Sequence, residues 1–428
     1  QATDAANPDV SDWDTSNVEN MEAMFNSAEA ATLTENGGTL NWDVSNVTNM
    51  QHMFDNTHVA NPDVSGWDTS NVTTMFAMFH KSKAANPNVS TNGNIWDVSS
   101  VTTMQHMFQE SEAATLLVGD GTTNWNTHKV TSMQEMFRDA LVANPNVSGW
   151  DTSNVTKMAQ MFENADAATL TANGGTSNWN THKVVSMGVM FYNTELANPD
   201  VSGWDTSNVT NMGGMFQNAL SANPVTTTNG NIWNTHKVST FASMFKNTDA
   251  NPDVSGWDTA NAWTFGNMFY GAENANPDTN DWNMVKATSI QNIFYDSGIS
   301  DGNYSTFLIR TEATSSKDNI NIGTVPAGYY AGEAATARAV LTDPARGWSF
   351  SDSGISDEFV SIWQTDGDND IITIPTVTAL TYKYNIDWGD TNDTNDDGLI
   401  ESDTGPTHTY SVEGEYTITI SITDLTGG

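Results

Sequence analysis

The stretch VSGWDTSNVTTMFAMF, residues 64 to 79, decides how the whole chain reads. Its large apolar groups stand at Trp67, Val72, Met75, Met78 and Phe79, with Thr, Ser, Asn and Asp between them. One such unit cannot bury its own face. Repetition supplies the missing faces: Trp13, Trp42, Trp67, Trp96, Trp125, Trp150, Trp179, Trp204, Trp233, Trp257 and Trp282 follow one another at 24, 25 or 29 residues. Eleven positions after each Trp comes an aliphatic residue and then Phe, from Met24-Phe25 through Met53-Phe54 and Met78-Phe79 to Ile293-Phe294. A fixed interval of this kind is the mark of a stacked repeat. Coils stacked in register bury Trp on Trp and Met on Met. At a rise of roughly 4.7–4.9 Å per coil, about eleven coils make a rod on the order of 50 Å.

The length differences fall between the Met-Phe block and the next Trp. Short coils read ANPDVSGW there, whereas long ones read ATLTENGGTLNW (31 to 42), ATLLVGDGTTNW (114 to 125) or ATLTANGGTSNW (168 to 179). The four extra residues carry Asn-Gly turn chemistry, so the insertions are expected to protrude along one edge, either as a binding edge or as tolerated turns. Long and short coils often alternate, so that Trp13 to Trp67 and Trp125 to Trp179 both span 54 residues, as if coil pairs had been duplicated.

Units such as WDTSNVTKMAQMF (Trp150 to Phe162) and WDTSNVTNMGGMF (Trp204 to Phe216) resemble the BspA-like leucine-rich-repeat surface proteins of bacteria. The resemblance covers residues 1 to about 297 and rests on eleven copies. It implies a leucine-rich-repeat-like solenoid displayed outside the cell, associated with adhesion and without catalytic residues. Ala262, Trp263 and Phe265 in the tenth coil, and Ile290 and Ile293 in the eleventh, depart from the pattern and suggest decay toward a cap.

Residues 298 to 355 lose the period and are expected to cap the solenoid, as the closing segment does in the same family. Their AGEAATARAVL stretch is the best helix candidate in the chain. Residues 356 to 428 alternate in strand fashion through FVSIW, IITIPTV, YKYNIDW and EYTITISIT, which points to a small β-sandwich. YNIDWGD (384 to 390) and THTYSVEGEYTITISI (407 to 422) resemble the polycystic-kidney-disease type of immunoglobulin-like domain, with Thr391 in place of the last Gly of its WGDG turn. The expected architecture is therefore mainly β: repeat solenoid, cap, and immunoglobulin-like sandwich.

Against 52 acidic residues stand 14 basic ones, a formal net charge of −38. So few Lys and Arg cannot replace the counterions of a phosphate backbone or settle on anionic lipid, which argues against nucleic acid. The absence of Cys excludes disulfides, thiolate metal sites and thiol catalysis, and leaves the compartment open. No run approaches the roughly 18 apolar residues of a membrane span, so no direct membrane insertion is expected, and Gln1 onward lacks the regions of a signal peptide. With 15 Trp, 17 Phe and 19 Met, the chain still has large groups to bury.

The sharpest site signal lies in TNDTNDDGLIESDTGP, which lengthens a sandwich hairpin. Asp393, Asn395 and Asp397 occupy positions 1, 3 and 5 of a calcium-type loop, Leu399 position 7 and Glu401 position 9, with Gly398 at the sharp turn. Position 12 is Thr404 where an EF-hand has Glu, and Asp403 comes one residue early, so the expectation is either a structural Ca2+ that braces the hairpin, with the loop closing differently or binding weakly, or an acidic solvated turn. Elsewhere an Asp or Asn follows each repeat Trp, from Asp14 to Asn283, and reads as a row of turn-capping residues. His128, His182 and His236 recur in NTHKV two coils apart, roughly 10 Å, too far for a shared metal. The Thr column of Thr48, Thr73, Thr102, Thr131 and Thr156 raises ice or mineral binding, but Val185, Ser239 and Trp263 interrupt it. No nucleophile elbow, zinc-protease or phosphate-loop pattern appears, and no enzyme is expected.

These readings converge on an extracellular, cell-surface adhesion or ligand-binding module whose partner is a protein or a glycan. The alternative is a structural subunit of a surface filament or layer. The sequence opens at QATDAANPDVSDW, the tail of a repeat without its Met-Phe block, so the first coil is expected to be covered either by a preceding part of a longer chain or by the C-terminal sandwich of the next copy, which joins copies head to tail.

Overall fold

The computed structural model describes residues 7–34, 38–89, 96–116, 122–171, 175–228, 231–356, 358–365, 370–373, 382–388, 400–402, 407–411 and 414–424. Through the repeats, each unit meets the next at one parallel bridge, a line that runs Asn20, Asn49, Thr74, Thr103, Ser132, Lys157, Ser186, Asn211, Thr240, Thr264, Ser289. Beyond each bridge the main chain alternates its allegiance. The N–H groups of Met75, Ala77, Phe79 and Lys81 donate to the carbonyls of Thr103, Gln105, Met107 and Gln109 in the following unit, at 3.3, 2.9, 2.9 and 2.8 Å. Those of Met78, His80 and Ser82 turn back to carbonyls three residues earlier. Two residues per unit, such as Ala77 (φ 52°) and Lys81 (φ 56°), take left-handed conformations between these bonds. The extended backbone is thereby interrupted every few residues, and for this reason the ladder consists of single bridges rather than long strands. Among the described residues, β1 (Thr227–Thr228) and β2 (Asn231–Ile232) form the one hairpin in this region.

The core is a set of columns. Neighbouring indoles lie nearly parallel, with Trp42–Trp67, Trp67–Trp96 and Trp150–Trp179 at 6.2, 6.3 and 6.5 Å between ring centroids and 2°, 4° and 5° between planes. A Phe column runs beside them, with Phe54–Phe79 at 5.3 Å and Phe79–Phe108 at 5.6 Å. From the second unit on, the Met pairs, Val72 and its equivalents are fully buried, whereas Val18 and Met24 of the first unit are only partly so. A buried indole N–H needs an acceptor. Trp42, Trp67, Trp96, Trp150, Trp179, Trp204, Trp233 and Trp282 all find it in the same place, the carbonyl three residues before the Trp of the preceding unit. Buried threonines make the reverse link: Thr69, Thr152 and Thr181 donate to Asp97, Asn180 and Asp205 carbonyls of the following unit.

Residues 298 to 355 carry the ladder onward. Helix α1 (Asp301–Thr314) is capped by the Ser300 hydroxyl and buries Tyr304, Phe307 and Leu308, with Phe307 edge-on to Phe294 at 5.0 Å, 90°. Strand β3 (Asn321–Thr324) accepts from the last repeat through Asn292 N–H to Ile322 O, 2.6 Å. Helix α2 (Glu333–Thr342) is the Ala-rich stretch, and strand β4 (Ser349–Ser351) pairs in parallel with β3. This segment therefore extends the stack by two helix-bearing steps. A polar knot ties it together. The Tyr304 hydroxyl donates to Asp352 Oδ2 at 2.8 Å, and Arg338 Nε donates to the same oxygen at 2.8 Å. Burial, and then the Asp352 carboxylate, push the Tyr304 phenol far above its ordinary value.

The last segment forms an antiparallel sheet in the order β5 (Glu358–Thr365), β10 (Gly414–Asp424), β7 (Tyr382–Asp387), β8 (Ile400–Ser402). A separate antiparallel pair joins β6 (Asp370–Thr373) to β9 (Thr407–Tyr410). Buried Tyr410 donates its hydroxyl to the Trp388 carbonyl at 2.7 Å, and Trp388 stacks on His408 at 5.0 Å.

Candidate functional site

Three columns face solvent along the repeats. In the first, the residue after each Trp accepts a hydrogen bond from the residue two positions on: Asp14 Oδ1 from Ser16, Asp43 from Ser45, Asp151 from Ser153, Asp205 from Ser207. Where the unit reads NTHKV, the asparagine oxygen meets an imidazole instead, with Asn180 Oδ1 2.6 Å from His182 Nδ1 and Asn234 Oδ1 2.6 Å from His236 Nδ1. The Ser hydroxyls hold Asp14, Asp43, Asp151 and Asp205 below the usual carboxylate range. These carboxylates are occupied in closing turns. The NTHKV histidines belong to the same turns.

In the second column, Asn17, Asn46, Asn71 and Ser100 come first, and from Lys129 on Lys and Asn alternate. Asn154, Asn208 and Asn261 donate to the carbonyls of His128, His182 and His236 in the preceding units, at 2.7, 2.7 and 2.6 Å. Each asparagine oxygen then receives the lysine of the next unit, Lys183 and Lys237 at 2.6 Å and Lys286 at 2.5 Å. The third column is the Thr row. Thr73, Thr102, Thr131, Thr156 and Thr210 all donate their hydroxyls to the carbonyl of the unit before. Two apolar side chains interrupt this row and project into solvent, Val185 at 47% and Trp263 at 60% exposure.

A different edge carries charge clusters beside the Met-Phe blocks. Asp55 lies 2.8 Å from both His52 Nδ1 and His80 Nδ1. Burial raises its carboxyl, but the two imidazoles outweigh that and leave it below its ordinary value. Further along, Arg138 contacts Glu135 at 3.1 Å and Asp139 and Glu163 at 3.3 Å. Sequence reading considered only the NTHKV histidines and missed this edge. The signal was QHMF, which recurs at 51–54 and 105–108. Among the described residues, no group of three or more His, Asp or Glu is placed to hold a metal ion.

Asp393, Asn395, Asp397, Leu399 and Thr404 lie outside the described residues, as do the tips of the long-coil insertions at 35–37, 117–121 and 172–174. Glu401 sits in β8, in register with Lys383 of β7. No helix among the described residues is long and apolar enough to cross a membrane.

No curated protein and no solved structure matches the chain. Residues 1–119, 84–172, 112–229 and 226–307 each match the family described as "Mycoplasma protein of unknown function, DUF285". The segments overlap, as expected where a repeated unit can be aligned in several registers. Together they span the stacked repeats and reach into α1, and the chain belongs to the DUF285 family.

Proposed function

We propose that the chain is an extracellular bacterial surface module of the BspA-like leucine-rich-repeat kind, a solenoid that binds a protein or glycan through its flank. The observation that carries this reading is the solvent face just described, three columns at constant spacing over eleven units, with exposed Trp263 in one of them. A flat, regular polar surface with an aromatic side chain suits recognition of an extended partner. The reading assigns no catalytic role to any residue. The sandwich serves as a spacer, stiffened by Ca2+ at Asp393, Asn395, Asp397, Leu399, Glu401 and Thr404.

Saturable binding on arrays of glycans and extracellular matrix proteins tests the reading. A ligand whose affinity drops on Trp263→Ala is the expected result, and a clean failure across broad arrays overturns it. The calcium assignment is tested separately, by terbium luminescence of the chain with and without Asp393→Asn and Asp397→Asn.

A further inference from the structure

The Lys-bearing units differ from the others at two positions together. Where Lys replaces Asn in the second column, Asn replaces Asp in the first: Asn126 with Lys129, Asn180 with Lys183, Asn234 with Lys237, Asn283 with Lys286. The first four units carry Asp14, Asp43, Asp68 and Asp97 in the first column with no Lys in the second, so that stretch repels any copy of itself. Units six to eleven instead alternate Asp151, Lys183, Asp205, Lys237, Asp258 and Lys286, three charges of each sign. The lysines are held along the surface by Asn154, Asn208 and Asn261 rather than extended into solvent. Asp205 feels Lys237 of the following unit, so the two columns lie within electrostatic reach of each other.

This order has a centre, between units eight and nine. Reversing the stack about that point brings Asp205 level with Lys237, Asp258 with Lys183, and Asp151 with Lys286. It also brings Val185 level with Trp263, the two apolar side chains that protrude from the Thr row. No residue in these three columns meets a like charge under the reversal. A two-fold axis lying in the contact plane and crossing the stack produces this superposition, which is the isologous arrangement of a symmetric dimer.

We propose that units six to eleven form a lateral, antiparallel homodimer interface, with Trp263 of each copy packed on Val185 of the other and six Asp–Lys pairs around them. The partner is a second copy of this chain, argued from the charge order and the Trp–Val match; it claims Trp263 for the dimer, so a ligand bound at Trp263 and the dimer exclude each other. Six units at roughly 4.8 Å give a contact on the order of 30 Å long, and five residues of column separation, shortened by the turn between them, give at most about 16 Å of width. That is the small end for protein interfaces, so the pairing is concentration-dependent and weakens with salt.

Sedimentation equilibrium of the full chain, up to several hundred micromolar and at low and high salt, tests this. The expected result is a monomer–dimer equilibrium, weakened at least about tenfold by Trp263→Ala. Reversing the lysines (Lys183→Glu, Lys237→Glu, Lys286→Glu) or the acids (Asp151→Lys, Asp205→Lys, Asp258→Lys) should abolish self-association of either chain alone. Mixing the two reversed chains should restore a dimer, which a misfolded variant would not do. A wild-type monomer throughout overturns the proposal, as does a dimer indifferent to these changes. Saturable binding of an acidic polysaccharide by a persistent monomer, lost with the lysine reversal, would give the face to a glycan and likewise overturn it.

Discussion

Asp352 is the residue on which most of the helix-bearing segment turns. Its Oδ2 serves both Tyr304 of α1 and Arg338 of α2, and its side chain is only 6% exposed. Asp352→Ala leaves a guanidinium and a phenol without their shared acceptor, and the cost should be about 3 kcal/mol, read from urea denaturation. Asp352→Asn should cost less, because an amide oxygen still accepts. Nothing in the sequence announces this knot: its members lie 14 and 48 residues apart in a segment without period. The Trp, Met and Phe positions of the core were legible residue by residue, because each recurs at a fixed interval and large apolar groups at a fixed interval must meet. His52, Asp55 and His80 lay between legible and hidden. Only His52 recurs, as His106, and which unit each imidazole would face depends on turn geometry.

The unit itself is held by rungs of two kinds, one buried and one exposed, and they should respond differently to the same substitution. Thr181 is fully buried and donates to Asp205 O at 2.9 Å, so Thr181→Val strands that carbonyl and should cost about 1–2 kcal/mol. Thr102 makes a similar bond to Thr73 O at 3.0 Å in the exposed row, where water can replace the hydroxyl, and Thr102→Val should change the melting temperature little. The turns add a pH signature. Asp14, Asp43, Asp151 and Asp205, stabilised by Ser, and Asp55, stabilised by His80 and His52 against its burial, have folded values below the unfolded carboxylate. Their contribution is complete above the unfolded value of about 3.9 and is lost as pH falls through the lower folded values. Melting temperature should therefore drop as pH is taken below about 4, measured in enough salt to screen the repulsion of the −38 charge. At this scale the turn-capping role of the Asp/Asn column was readable from D-x-S and N-x-H spacing. The left-handed residues were not, because positions such as Ala77, His106 and Glu135 carry no glycine to mark them. Helix α2 was foreseen from its alanines, whereas α1 was masked by Tyr304, Ser305, Thr306 and Phe307, which favour strand or turn as much as helix.

The stack as a whole has a mechanical direction. The inter-unit hydrogen bonds of Met75, Ala77, Phe79 and Lys81, and of their equivalents, cross from one unit to the next and so run along the stack. Tension applied along that direction loads the rungs in series, and a series of weak links yields one link at a time. Each yielding unit would release 24, 25 or 29 residues, up to about 100 Å of extended chain. A protein tethered at both ends would thus lengthen in steps while its remaining units stay folded, a shock absorber rather than a rigid strut. Force spectroscopy should show a sawtooth with contour steps near that length, and a single rupture releasing the whole stack at once would contradict it.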